Sequence, residues 1–342
     1  MSESHFDTPV RFAAGRRRAL QHLTALGLFA SGGLPAASLA QNYPSRPVRL
    51  MVGFSPGAAT DAFARIVAKR LSAMLGQQFI VDNRPGAATR IAMDDVQKST
   101  ADGYMLGFAT AVTAAFPLLF KGLSFDPGRN FTPVAMLGRA PMFLVVRSNL
   151  GVNTYQEFVN YARKKGSLAF GHQGKGSNPH LAGLALAKSA GFHVVDVPYR
   201  GGGPLSLALG AGEVDFAMIE YAGVRPMLER GAVKLLLVTE PDRSPNQPKV
   251  PAGREVGMPA DAEGLAPWFM LIAPPGTPES TVKVLGSSVK KLLALPDVHK
   301  ELLGIGIVPH YADTKETAKF FLSQRKRIVT LAHDLNLSLS TS

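Results

Sequence analysis

Two segments of this chain run from an apolar strand through a glycine-rich loop straight into a helix, and that pattern restricts the fold more than any other feature. The first is Val48–Val52, then the loop from Gly53 to Asp61, then a helical pattern reaching Leu75. The second is Leu168–Phe170, then Gly171 to Asn178, then a helix from Pro179. A loop of this kind aims backbone N–H groups and the positive end of a helix at one spot, which suits an anion. Two such loops on separate lobes would clamp a small anion between them.

The rest of the chain alternates strand and helix. Strands are expected at Phe79–Asn83, Tyr104–Ala109, Phe131–Leu137, Met142–Val146, Val194–Val197, Phe216–Ile219, Lys234–Val238 and Trp268–Ala273. Helices are expected at Ile91–Ser99, Tyr155–Lys165, Pro204–Ala211, Ala222–Gly231, Pro278–Leu295 and Thr314–Asn336. This alternation predicts an α/β architecture with parallel strands. Met142–Val146 reads as the strand that leaves a first lobe and Trp268–Ala273 as the one that returns. The expected division is an export signal over 1–40, lobe 1 from 41–141 and 271–342, and lobe 2 from 142–270. The ligand cleft falls between the lobes.

The chain has 342 residues, 34 glycines, 25 prolines and no cysteine. Without cysteine there is no disulfide, thiol catalysis, Cys-ligated zinc or iron–sulfur cluster. Compartment is read from the N-terminus instead. Arg16-Arg17-Arg18 precede an apolar run from Leu20 to Leu34 that Gly27, Gly32 and Gly33 interrupt, and Ala36-Ala37-Ser38-Leu39-Ala40-Gln41 offers a cleavage site after Ala40. These features predict export to the periplasm by the twin-arginine or the Sec route. Residues 1–40 carry Arg11, Arg16, Arg17 and Arg18 against Glu3 and Asp7, so cleavage takes the net charge from +12 to +10. The basic residues are scattered, without aromatic interleaving, which argues against nucleic acid and for small acidic partners.

Three motifs invite sharper chemistry. Gly53-Phe54-Ser55-Pro56-Gly57 fits G-x-S-x-G, the nucleophile elbow of a serine hydrolase. The elbow's oxyanion hole needs the N–H of the residue after the serine, and Pro56 has none. Gly174-Lys175-Gly176-Ser177 looks like part of a P-loop, but Gly176 occupies the position where a hydroxyl must follow the lysine. The eight histidines include no metal-binding spacing, so no metal and no cofactor is expected. Asp61, at a helix start, suits a capping role.

These stretches together resemble the Bug/TctC family, the extracytoplasmic solute-binding receptors of tripartite tricarboxylate transporters. The resemblance rests on Tyr43-Pro44-Ser45-Arg46-Pro47-Val48-Arg49, Phe54-Ser55-Pro56-Gly57 with Thr60-Asp61, and Val81-Asp82-Asn83-Arg84-Pro85-Gly86-Ala87. It continues through Ala101-Asp102-Gly103-Tyr104, Val197-Pro198-Tyr199-Arg200-Gly201, Val238-Thr239 with Arg243-Ser244-Pro245, and Trp268-Phe269 with Ala273-Pro274-Pro275-Gly276-Thr277-Pro278. Order and spacing hold from Tyr43 to Pro278 and make it specific. It implies a two-lobed periplasmic binding protein of the Venus-flytrap type II class, not an enzyme. Such a receptor acts as a monomer that takes a small organic acid through loop amides and ordered water. It then serves integral membrane transporter subunits or a sensor.

Carried over by position, the implied ligand contacts are Phe54, Ser55, Gly57, Ala58, Ala59, Thr60 and Asp61 in the first loop, and Ala109, Thr110, Ala111 and Thr113 in a second. A third region is His172, Gln173, Lys175, Gly176 and Ser177 with His180, and Glu220 with Tyr221 completes the pocket. The chain departs from the family pattern at Ala58, where a second glycine is usual. It departs again at Ala87-Ala88-Thr89-Arg90, where a glycine-rich run and an asparagine are usual and which brings an arginine near the cleft. Glu220-Tyr221 replaces Asp-Asn, and Ala109-Thr110-Ala111 is more apolar than usual. These departures point away from a plain C4 dicarboxylate and toward a longer or aromatic acid, or an amino-bearing acid facing Glu220.

Overall fold

A computed structural model of the chain describes residues 43–57 and 59–337. The export signal and its cleavage site at Ala40 lie outside the described residues, as does Ala58.

Among the described residues, eleven strands make two mixed sheets. In the first, β1 (Val48–Val52) pairs in parallel with β2 (Phe79–Asn83) and β3 (Met105–Thr110). Next, β10 (Trp268–Ala273) lies antiparallel between β3 and β4 (Thr132–Arg139), and β11 (Val308–Ala312) closes the far edge against β4. In the second, β6 (Ser167–His172) runs parallel to β7 (His193–Pro198) and β8 (Phe216–Glu220). There β5 (Met142–Arg147) is antiparallel to β8 and to β9 (Val233–Val238). The sheets are mixed rather than parallel throughout as expected, because β4, β5, β9, β10 and β11 enter them through antiparallel pairs. The central strands are continuous apolar runs because both faces are covered; all six residues of β10 are buried.

One face of the first sheet is covered by α1 (Ala59–Leu75), through Phe63, Ile66, Val67 and Leu71, and by α9 (Glu279–Leu293), through Leu285, Val289 and Leu292. The other face takes α2 (Arg90–Lys98), and its apolar cluster continues through Trp268 and Met270 into the second sheet at Phe170 and Phe216. Two short helices, α3 (Ala111–Ala114) and α4 (Phe116–Leu119), follow β3. The second sheet carries α5 (Tyr155–Lys165), α6 (Asn178–Ala190), α7 (Gly202–Ala211) and α8 (Tyr221–Glu229).

Phe170 stacks on Phe216 with ring centroids 4.9 Å apart, and α6 lies so close that a Cβ at Gly183 would stand 2.0 Å from the Phe170 ring. Gly183→Ala, which favours the isolated helix, is therefore expected to destabilise the protein by about 1–2 kcal/mol net, read by chemical denaturation. Unchanged stability would mean that α6 and β6 are not packed this closely.

The expected helix over Pro278–Leu295 is present as α9, within two residues at each end. It ends at Leu293, and α10 (Pro296–Gly304) starts anew with Pro296 in its first turn. Neither α10 nor β11 was expected. β11 is an edge strand containing Pro309, with no clean alternation of buried and exposed residues. The last helix, α11, spans Thr314–Asp334.

The chain crosses from the first sheet to the second between Arg139 and Met142. It returns through the segment between β9 and β10, and the two connections touch. Ala140 N–H donates to Pro267 O (2.8 Å), and Thr239 N–H donates to Met142 O (2.8 Å). Arg139 pairs with Glu240 at 3.1 Å. Burial pushes the Glu240 carboxyl up from its ordinary range, and Arg139 offsets part of that rise.

Candidate functional site

Strand register brings both sets of loops to this crossing. In the second sheet, Glu220 ends β8 opposite Met142, which begins β5. In the first, Thr110 ends β3 opposite Phe269, and the adjacent Trp268 pairs with Arg139 at the end of β4. Because β1 is parallel to β3, and β6 to β8, the loops after all four strands emerge at the edges that face the crossing. Ligands of open α/β sheets sit beyond such carboxyl ends.

The first loop is tied down from within. The buried Asp61 carboxylate accepts from Gly57 N–H (2.9 Å), Arg65 Nε (2.9 Å) and Asn83 Nδ2 (2.9 Å). Asn83 also donates to Phe54 O (3.0 Å). Burial by itself would raise the Asp61 pKa, but the bonds from Arg65, Gly57 and Asn83 outweigh it and hold the carboxyl below its usual range. Two expectations change. Asp61 braces the loop and is fully occupied in doing so, and the Gly57 N–H points at Asp61, so neither is free for a ligand. Ser55, Gly57 and Ala59 remain exposed, with Phe54 and Thr60 half-buried. Gly53 is required by close approach: a Cβ there would fall 2.4 Å from Thr89 Cβ. Arg90 does not reach toward this loop; it pairs with Asp94 at 3.6 Å and lies over the Phe120 ring.

The loop after β3 is largely core. Ala109, Thr110, Ala111 and Thr113 are all buried, and Thr113 Oγ1 accepts from Thr110 N–H (3.4 Å). Ala109 and Thr113 line a cavity of about 70 Å³ with Phe131, Met270, Ile272 and Phe321. The side chains of Ala109 and Thr113 thus belong to the apolar interior.

The loop after β6 is ordered by its own side chains. Ser177 caps α6, accepting from His180 N–H, and its hydroxyl donates to Gly174 O (2.8 Å). His172 Nδ1 accepts from Gly174 N–H (3.1 Å), and His180 Nδ1 accepts from Gly176 N–H (3.0 Å). Both rings are buried, 4.2 Å apart, and both turn Nε2 toward Asp196. Gln173 donates to the Glu220 carboxylate, whose pKa is raised by burial and only partly lowered again by that bond. Lys175 is exposed, and Tyr221 is half-buried against Phe143.

Two residues that organise these loops were not expected from sequence, Asn83 and Asp196, and Asn178, expected to offer its side chain to a ligand, is used within the fold. Asn83 lies inside a quoted motif, and its position at a strand end beside the first loop was the available signal. Asn178 donates to Leu265 O (2.7 Å), tying the start of α6 to the returning segment. Asp196 carries no local signal, since it meets the histidines only through strand pairing.

Residues 63–337 match the model of the tripartite tricarboxylate transporter family receptor. The chain belongs to this family. This receptor is 30% identical to Protein BugT of Bordetella pertussis over 309 residues, 89% of this chain and 94% of that one. Its fold superposes on Rpa4515 of R. palustris, solved with adipate, with a TM-score of 0.75 and 32% identity over 86% of this chain and 98% of that one. It also superposes on MatC (Rpa3494) of Rhodopseudomonas palustris, solved with bound malate, with a TM-score of 0.69 and 30% identity. That likeness covers 84% of this receptor and 99% of MatC. No helix among the described residues is long and apolar enough to cross a membrane.

Proposed function

We propose that this receptor captures a small carboxylate in the periplasm and delivers it to a membrane transporter. The ligand would sit between a lobe built from 41–141 and 271–342 and a lobe built from 142–270. The observation that carries this reading is the convergence of four strand-end loops on one crossing, Glu220 through its pairing with Met142 and Thr110 through its pairing with Phe269. The carboxylates bound by the two structural relatives support an acid as ligand.

On the first lobe the contacts are the backbone of Ser55, Ala59 and Thr60 and the backbone at Ala111. Across the cleft they are Gln173, Lys175, Ser177 and Tyr221. Glu220 beside Gln173 adds an acceptor that suits a ligand with a donor group as well as its carboxylate. The basic N-terminus before an apolar run supports export.

Calorimetry tests the anion requirement. Adipate is expected to bind at least about tenfold more tightly than its neutral diamide, a difference of about 1.4 kcal/mol. Equal affinity for the two would sink the carboxylate reading.

A further inference from the structure

The function proposed above makes no use of the His172–His180–Asp196 cluster. We propose that Asp196 is the positioning residue of the loop between β6 and α6. Its carboxylate orients the two imidazole rings so that their Nδ1 atoms hold the Gly174 and Gly176 amides. The inference rests on the proposed function only in calling that loop a ligand loop.

Hydrogen accounting fixes the rings. Each Nδ1 accepts a backbone N–H, at 3.1 Å for His172 and 3.0 Å for His180, so neither Nδ1 carries a proton. A neutral imidazole then holds its proton on Nε2. His180 Nε2 meets Asp196 Oδ2 at 3.2 Å in a directed bond. His172 Nε2 lies 3.0 Å from Asp196 Oδ1, close but off the bond axis. One carboxylate thus faces both Nε2 atoms. Strand register delivers it: Asp196 pairs with Phe170, whose ring lies parallel to that of His180.

The same accounting decides against a metal, although the three side chains place one ligand atom each within 4.8 Å of one another. Coordination through Nε2 would move the ring proton to Nδ1, where an amide hydrogen already stands.

Protonating either ring also puts a hydrogen on Nδ1 and expels a loop amide. The groups facing the rings are Asp196 from β7, Lys175 from the loop and each ring for the other. Burial holds both histidines below their ordinary range; for His180 the neighbouring His172 adds to this, Lys175 works in the same direction, and Asp196 opposes it. A depressed histidine pKa gives stability that is complete above the unfolded value of about 6.5 and is lost as pH falls through the folded one. Loop order is therefore expected to be constant above that pH and to decline in acid.

Long-range 1H–15N NMR of the whole protein at pH 7.5 reads the tautomers directly, with adipate titration beside it. Both rings are expected as Nε2–H, with shielded Gly174 and Gly176 amides and no response of either ring to added Zn2+. Asp196→Ala is expected to mix the tautomers, expose both amides to exchange and weaken adipate about tenfold at pH 7.5. Asp196→Asn, which keeps one acceptor oxygen, should fall between. An Nδ1–H ring in the wild type, a Zn2+ shift at both Nε2 atoms, or an Asp196→Ala variant with unchanged tautomers and amides would overturn the proposal. If the wild type binds no adipate, the carboxylate reading fails, and the tautomers and amides still decide the role of Asp196.

Discussion

Phe170→Ala is expected to destabilise the protein by about 3–5 kcal/mol, the usual cost of deleting a buried aromatic ring from a packed core. Phe170 is fully buried on β6, stacked on Phe216 at 4.9 Å and flanked by the rings of His172 (5.7 Å) and His180 (6.4 Å). Gly183 presses on its far side with no room to spare, so truncation leaves a void that α6 must collapse into or leave open. At roughly 2 °C per kcal/mol for a chain of this size, the thermal midpoint should fall by about 6–10 °C. Phe170 also connects the core to the loop: the rings that hold the Gly174 and Gly176 amides lean on it. Phe170→Leu, which refills much of the volume, is expected to recover most of the stability. A loss under about 1 kcal/mol for the alanine variant would mean that this core is not packed as described.

The parts of the fold that were legible in sequence are those whose signal is local. Val48–Val52 followed by glycine and a periodic helix announces itself because strand, turn and helix chemistry fall in consecutive residues. Asp61 was legible only as a residue that suits a helix start; its bonds to Gly57, Arg65 and Asn83 were not. α10 escaped notice although Pro296 sits in its first turn, a helix-start signal. β11 escaped notice because an edge strand with a proline has no alternation to display.

At the site, residue type misled where burial decides direction. Ala109 and Thr113 follow a strand end beside the crossing, yet their side chains turn into the apolar cavity under Phe131 and Phe321. Asp196 stands 24 residues after His172 and 16 after His180 in sequence; only the pairing of β7 with β6 joins them. No spacing rule could have found it, because its partners are set by register between strands.

Asp61→Ala is expected to weaken carboxylate binding about 30-fold, or about 2 kcal/mol, with a smaller loss of global stability. The carboxylate joins three pieces of chain: the loop through Gly57 N–H, the helix through Arg65 and the end of β2 through Asn83. Without it, Asn83 keeps Phe54 O and Arg65, and the exposed residues 55–57 and 59 lose the brace that fixes where their amides point. Most of the expected loss is therefore the cost of ordering the loop when ligand arrives, rather than loss of a ligand contact. Asp61→Asn separates the two, because an amide oxygen can still accept from Gly57 or Asn83 while the charge toward Arg65 is gone; it should recover part of the affinity. The pH dependence has a fixed sign. The folded carboxyl is held below its unfolded value of about 3.9, so its contribution is complete above that pH and is lost as pH falls through the folded pKa. Adipate titrations from pH 7 down to pH 5 should therefore show no Asp61-dependent change in affinity. An alanine variant that binds as tightly as the wild type at pH 7 would remove Asp61 from the architecture of the site.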